Sequence, residues 1–176
     1  MVSILRLAKR LIPVFAALAF VGVCVMLALH HDESIHTEVW INSPPQAVWT
    51  ILTDTADYPR WNPEISRLDG ALREGSVIEF VAGSGEDAMV FHPRLLAVRP
   101  LQELRWKGSV WLPGIFDGEH RFVLEPAGNR THFIQSEQFT GILAGKLTED
   151  VVASTAESMK AMNAALKARA EQANAH

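Results

Sequence analysis

The sequence predicts an α+β fold in which a curved antiparallel sheet of about seven strands wraps around one long C-terminal helix. Short segments that alternate apolar and polar residues are joined by hairpin-length links, which favours antiparallel pairing. The segment from Leu147 to about Glu171 has no Gly or Pro and carries one apolar stripe, as an amphipathic helix does. One sheet face and one helix stripe must bury each other, so we expect the sheet to curl around the helix.

The N-terminal residues predict a membrane anchor in front of this domain. Residues 11–29 contain no charged residue, and a helix of that length spans roughly 29 Å, close to the thickness of a bilayer core. Basic residues precede the run and acidic residues follow it. Residues 1–10 are therefore expected in the cytoplasm, and the domain of residues 30–176 on the periplasmic or extracellular side of the inner cell membrane. The alternative is a signal peptide that is cleaved before secretion, although its apolar region is typically shorter.

The charge balance argues against several classes of partner. Arg6, Lys9 and Arg10 precede the domain, and the other 13 basic residues face 20 acidic ones, which leaves a net charge of −7. No basic run appears in the domain, so nucleic acid and anionic lipid head groups are not expected partners. Cys24 is the only cysteine and lies in the apolar run, so the domain is expected to lack a disulfide.

The sequence contains no motif that predicts a metal or a cofactor. The segment HHDESIH, residues 30–36, lacks the two-histidine helical spacing of a zinc protease. No glycine-rich loop follows a strand and opens a helix, so a nucleotide phosphate site is not indicated.

The elements are predicted in chain order, beginning with a half-buried strand at residues 34–42. Ser43 is expected to cap a short helix that has Pro44 at its first position, and a second helical turn reaches Tyr58. Further strands are predicted at residues 65–68, 76–82, 88–99, 103–109, 118–125 and 131–141. His92-Pro93 implies a bend, a bulge or an edge position for the strand at residues 88–99. Thr148 is expected to cap the C-terminal helix.

Several stretches resemble the polyketide cyclase/dehydrase-like branch of the SRPBCC superfamily. The most specific is YPRWNP at residues 58–63, and other matches are VW at 48–49, LTD at 52–54, LRWKG at 104–108, GEHRF at 118–122, Thr131, Glu137, FTG at 139–141 and MNAALK at 162–167. Together they cover nearly all of residues 36–169. The resemblance implies the START-like helix-grip fold, whose members hold lipids, sterols, polyketides or other apolar molecules between the sheet and the C-terminal helix.

The last two strands carry three polar candidates on their inward face: His120, Gln135 and Glu137. With a tight turn at Ala127-Gly128, His120 is expected opposite Gln135, with Glu137 on a diagonal about 7–8 Å away. A histidine and a carboxylate in an apolar cavity can act as general base and acid. The alternative is that Glu137 pairs with Arg105 or His120 only to satisfy a polar core.

The predicted ligand site combines these polar groups with aromatic and methionine side chains. As ligand residues, Trp61 is expected to close one end of the cavity and Asn62 to bond the ligand. The alternative is structural: Trp61 packs on the short helices and Asn62 caps a turn. The apolar loop from Val110 to Phe116 is either a gate or ordinary packing. The candidate residues are Trp61, Asn62, Phe80, Phe91, Trp106, Trp111, Phe116, His120, Phe122, Phe133, Gln135, Glu137, Met159 and Met162.

The sequence therefore predicts a membrane-anchored protein that binds one hydrophobic or amphipathic small molecule, such as a lipid, an isoprenoid or a polyketide-like compound. Binding is favoured because the pattern contains no complete catalytic constellation. One alternative is a cyclase or dehydrase that uses His120 and Glu137 as acid and base. Another is a module that binds a protein partner through the loop from Val110 to Phe116. The oligomeric state is left open.

Overall fold

The computed structural model describes residues 12, 17, 20–25, 31–110, 112–146 and 149–173. Among the described residues from 31 onward, eight strands and three helices follow one another, with three single 3-10 turns between them. In chain order they are β1 (His31–Ile41), α1 (Pro45–Thr53), a 3-10 turn (Thr55–Asp57), α2 (Tyr58–Trp61), β2 (Ile65–Asp69), β3 (Glu79–Ala82), a 3-10 turn (Gly85–Asp87), β4 (Met89–Phe91), β5 (Arg94–Arg99), β6 (Glu103–Val110), β7 (Phe116–Ala127), β8 (Arg130–Gly141), a 3-10 turn (Ala144–Lys146) and α3 (Glu149–Ala173).

The strands form two antiparallel sheets that are joined through their backbones. The larger sheet has the order β1-β8-β7-β6-β5, and the smaller one has the order β2-β3-β4. Ser76 and Leu95 connect them, since the N–H of Leu95 donates to the carbonyl of Ser76 over 2.8 Å. The predicted strand at residues 88–99 is two strands, because Pro93 has no N–H for the ladder and the chain changes sheets at His92-Pro93.

The core lies between the larger sheet, α1 and the C-terminal half of α3. Val48 and Leu52 of α1 and Leu166 of α3 are fully buried against Phe122 and Phe133 of the central strands. Complete burial of each phenylalanine stabilises the fold by roughly 2–3 kcal/mol. The predicted α+β helix-grip architecture is therefore present, with two short helices after β1 and a long helix at the C-terminus.

Polar contacts hold the C-terminal end of α3 to β1 and to the β1–α1 turn. The Ser43 hydroxyl donates to the carbonyl of Ala170 over 2.9 Å, and the Asn163 amide donates to the hydroxyl of Thr37 over 2.9 Å. The prediction that Ser43 caps α1 is wrong. Pro44 occupies the position before the helix, and the buried Ser43 side chain faces α3 instead.

The predicted transmembrane helix is not found in the part of the chain that the structure describes. Residues 20–25 are helical, but no helix within the described ranges is long and apolar enough to cross a membrane. A charge-free run indicates hydrophobicity, whereas a span also requires about 20 continuous helical residues. Much of the run at residues 11–29, and the predicted cap Thr148, lie outside the described residues. The domain start at residue 30 and a location outside the cytoplasm stay predictions.

Candidate functional site

A cavity of about 410 Å³ lies between the two sheets and the N-terminal half of α3. Its wall is mostly apolar, and its polar side chains include a cluster on β7 and β8. The lining residues are Glu64, Ile65, Phe80, Ala82, Met89, Phe91, Pro93, Trp106, Gly108, Ser109, Val110, Phe116, Gly118, His120, Gln135, Glu137, Phe139, Ser154, Thr155, Ser158, Met159 and Met162.

The polar cluster is a chain of three side chains on two paired strands. His120 lies directly opposite Glu137, and its Nδ1 contacts Glu137 Oε2. Its other ring nitrogen, Nε2, lies 2.8 Å from Nε2 of the buried Gln135. The Gln135 amide also donates to the sulfur of Met162 over 3.6 Å, which ties the cluster to α3.

The register of β7 and β8 differs from the predicted one by two residues. Ala127 pairs with Arg130, so the two-residue turn is Gly128-Asn129 and not Ala127-Gly128. Gly128 has a φ of 64°, which suits the first position of a type II′ turn. A shift of two residues leaves every side chain on its predicted face, but it makes Glu137, and not Gln135, the direct partner of His120.

Aromatic rings cover the walls beside this cluster. Trp106 stacks on His120 with 5.4 Å between ring centroids, and Phe80 packs against Trp106 at 5.9 Å. Phe116 and Phe139 stack at 5.4 Å where β7 begins and β8 ends. Rings of this kind present flat apolar surfaces to a ligand.

Gly118 provides the space that the Glu137 carboxylate occupies. A Cβ atom added to Gly118 would lie only 2.8 Å from Glu137 Oε1 and 3.6 Å from the ring of Phe139. Gly108 lies on β6, pairs with Gly118 of β7 and lines the same cavity. A Cβ atom added to Gly108 would lie 3.5 Å from Pro93, which is an ordinary van der Waals distance.

A buried carboxylate fixes the loop that enters β7 next to the cavity. Asp117 Oδ1 accepts the N–H of Gly114 over 3.1 Å, and its Oδ2 lies 3.3 Å from the ammonium group of Lys107. Burial by itself raises the pKa of Asp117, but hydrogen bonds from Ser109 and Gly114 and the charge of Lys107 outweigh it and lower the pKa below its usual value. Burial alone raises the pKa of Tyr58, which lies in the core as the first residue of α2.

The structure places nine of the fourteen predicted ligand residues on the cavity wall: Phe80, Phe91, Trp106, Phe116, His120, Gln135, Glu137, Met159 and Met162. Phe122 and Phe133 face the same way but are fully buried nearer the β7–β8 turn, in contact with α1. Trp111 lies outside the described residues.

Trp61 and Asn62 lie apart from the cavity and have structural contacts. Trp61 packs against Tyr58 with 5.0 Å between ring centroids. Asn62 Oδ1 accepts the N–H groups of Glu64 and Ile65, each over 2.9 Å, and so shapes the turn between α2 and β2.

Sequence reasoning missed the residues that shape the cavity without a distinctive side chain. These are Gly108 and Gly118 on the strands, Pro93 between β4 and β5, and Ser154 and Ser158 on α3. Phe139 on β8 also lines the cavity and was not predicted as a ligand residue. Its position could have been predicted, because it alternates with the other inward residues of that strand. The position of the serines depends on how α3 sits on the sheet. Among the described residues, no group of three His, Cys, Asp or Glu side chains could hold a metal ion.

Comparison with known proteins identifies the class. Residues 32–171 match the model of the family described as polyketide cyclase / dehydrase and lipid transport. The chain therefore belongs to this family, which confirms the predicted polyketide cyclase/dehydrase-like branch of the SRPBCC superfamily. No curated protein matches the chain.

Solved structures share the fold at low sequence identity. The ZhuI aromatase/cyclase from Streptomyces sp. R1128 is 18% identical, with a TM-score of 0.63 over 81% of this chain and 95% of that one. A START superfamily protein from Mycobacterium smegmatis is 19% identical, with a TM-score of 0.64 over 79% and 97%. TTHA0849 from Thermus thermophilus is 20% identical, with a TM-score of 0.63 over 80% and 99%. At these identities the likeness shows the fold alone.

Proposed function

We propose that this protein binds one hydrophobic or amphipathic small molecule in the cavity between the sheets and α3. The observation that carries the proposal is the cavity itself. Its volume of about 410 Å³ lies within the range of small-molecule sites, and its polar groups are confined to a few positions on an otherwise apolar and aromatic wall. Membership of a family described by cyclase chemistry and lipid transport supports the same proposal.

A substitution that fills the cavity tests the proposal. Ser158 lines the cavity from α3 without being fully buried, so Ser158→Trp adds volume to the cavity with little disturbance of the core. Ala161→Trp is the matched control, because Ala161 is exposed on the same helix and lines no cavity. Binding of a fluorescent apolar probe is expected to weaken by at least about tenfold in Ser158→Trp. Equal binding by the two variants would place the ligand elsewhere.

A cyclase- or dehydrase-type activity is the second candidate, and the contact between His120 and Glu137 favours it. Glu137 orients the imidazole through Nδ1, which leaves Nε2 as the atom that would take a proton from a substrate. Nε2 lies 2.8 Å from the amide nitrogen of Gln135, so a substrate would have to displace that amide. One of the structural neighbours is an aromatase/cyclase.

His120→Ala and Glu137→Gln separate the two candidates. In an enzyme both substitutions should lower the turnover of a polyketide-like substrate by at least about a hundredfold, because they remove the proton-transfer groups. In a carrier they should change probe affinity only modestly. Gln138→Ala, at an exposed position on β8, is the control.

Binding of a protein partner through the loop from Val110 to Phe116, where Leu112 is exposed, stays a prediction.

A further inference from the structure

The charged side chains in the cavity all have the same sign. Glu64 and Glu137 line it, and among the described residues no lysine or arginine does. The remaining wall is apolar or neutral, apart from His120. A ligand with an anionic head group would therefore find no positive partner there, and its charge would be placed close to a carboxylate in an environment that screens charges poorly.

Glu137 lines the cavity and has a second carboxylate oxygen, Oε1, close to Gly118. The residue is nine-tenths buried, and its Oε2 is taken up by His120. Its Oε1 is not the oxygen that contacts His120, and it lies 2.8 Å from the position of a Cβ atom added to Gly118. The position above Gly118 is bordered by this oxygen and by the ring of Phe139.

The contacts of His120 engage one oxygen of Glu137 and the amide of Gln135. The amide nitrogen of Gln135 can only donate, so Nε2 of the imidazole accepts, and Nδ1 then carries the proton that is donated to Glu137. His120 therefore hydrogen-bonds Oε2 of Glu137, and Oε1 receives no donor from it.

We infer that the ligand is an amphipathic amine, whose apolar body fills the cavity and whose protonated nitrogen binds Glu137 Oε1. This inference rests on the proposed binding function. An ammonium group provides what the site lacks, a positive hydrogen-bond donor for a buried carboxylate oxygen, and the neighbouring aromatic rings tolerate a cation. A neutral alcohol would satisfy the hydrogen bond but not the charge, and a carboxylate would satisfy neither.

Three ligands that share one alkyl chain test this inference: dodecylamine, dodecanol and dodecanoate. Each is titrated against the protein loaded with a fluorescent apolar probe near pH 7. We expect dodecylamine to bind at least about tenfold more tightly than dodecanoate, with dodecanol between them. In Glu137→Gln, the amine and the alcohol are expected to bind within about threefold of each other, while alcohol binding persists.

Two further variants serve as a control and as a second test of the role of Glu137. Glu157→Gln removes an exposed carboxylate on α3, outside the cavity, and should leave the order of affinities unchanged. Gly118→Ala retains Glu137 but crowds its Oε1, and it is expected to reduce the preference for the amine even if Glu137→Gln folds poorly. Dodecanoate binding as tightly as dodecylamine would overturn the amine inference and leave the binding function standing. Displacement by none of the three would also overturn the amine inference, whereas failure of the apolar probe to bind would overturn the binding function itself.

Discussion

Gly118 has a role that its lack of a side chain makes easy to overlook. Its Cα–H leaves open the volume in which Glu137 Oε1 lies, next to His120. Gly108 sits beside it on the neighbouring strand and lines the same cavity, but without a comparable close contact. The two glycines therefore form a natural matched pair.

Gly118→Ala is expected to lower the free energy of unfolding by about 1–3 kcal/mol, because the new methyl group must push the held carboxylate aside. Gly108→Ala should be neutral or slightly stabilising, since alanine restricts the unfolded chain and meets only ordinary contacts. Urea denaturation of both variants measures the difference. Equal changes would show that the Glu137 carboxylate moves away from Gly118 at no cost.

Asp117 makes stability depend on pH at the entry to β7. Its pKa in the folded protein is lowered, so its carboxylate contributes stability that is fully present above the unfolded pKa of about 3.9 and is lost as pH falls through the folded value. Asp117→Asn should therefore be less stable than the parent by about 1 kcal/mol at pH 7, with the gap narrowing below about pH 4. Urea denaturation at several pH values tests this. A gap that widened on acidification would contradict it.

Helix α3 has two halves with different support. Its buried side chains are Met159, Met162, Asn163, Leu166 and Ala170, and all of them lie in the C-terminal part. Residues 149–158 have no buried side chain, although Ser154 and Ser158 line the cavity. The N-terminal half is thus a wall of the cavity without being part of the core.

Amide hydrogens of residues 153–158 should exchange at least about tenfold faster than those of residues 163–170, because local opening of the first half exposes little apolar surface. Hydrogen exchange followed by mass spectrometry of peptides from α3 measures this. A bound ligand is expected to slow exchange in the first half, since it contacts that wall. Uniform protection along α3 would mean that the helix opens as one unit.

The β7–β8 hairpin shows how far a strand pattern can be interpreted. Alternation predicted which residues of β7 and β8 face inward, and these side chains do line the cavity or the core. The partner of each residue was wrong by two positions, because the alternation has a period of two and cannot distinguish one register from another that is shifted by two. Only the turn at Gly128-Asn129 decides it.

At the scale of the whole molecule, binding and stability are linked. A ligand that binds only the folded protein, present at about a hundred times its dissociation constant, stabilises by roughly 2.7 kcal/mol. For a chain of this size the melting temperature should rise by about 5–10 °C. Thermal unfolding with and without dodecylamine measures the shift. Ser158→Trp, if its affinity is at least about tenfold weaker, should show at most about half of that shift at the same concentration, and an undiminished shift would mean that the amine binds outside the cavity.

Local patterns and composition determined the element order, the antiparallel pairing, the inward residues of the last two strands and the family. These depend on short-range features: alternation with a period of two, an apolar stripe with helical spacing, and the run YPRWNP. The N-terminal run shows the limit of composition, since a charge-free length was predicted to be a spanning helix and no such helix appears among the described residues.

Tertiary structure alone decided the division into two sheets, the pairing of His120 with Glu137, the space above Gly118 and the placement of Ser158 on the cavity wall. The physical reason is that each depends on distances between segments far apart in the chain. Such distances are set by how the sheets and α3 pack together, and no local pattern contains them.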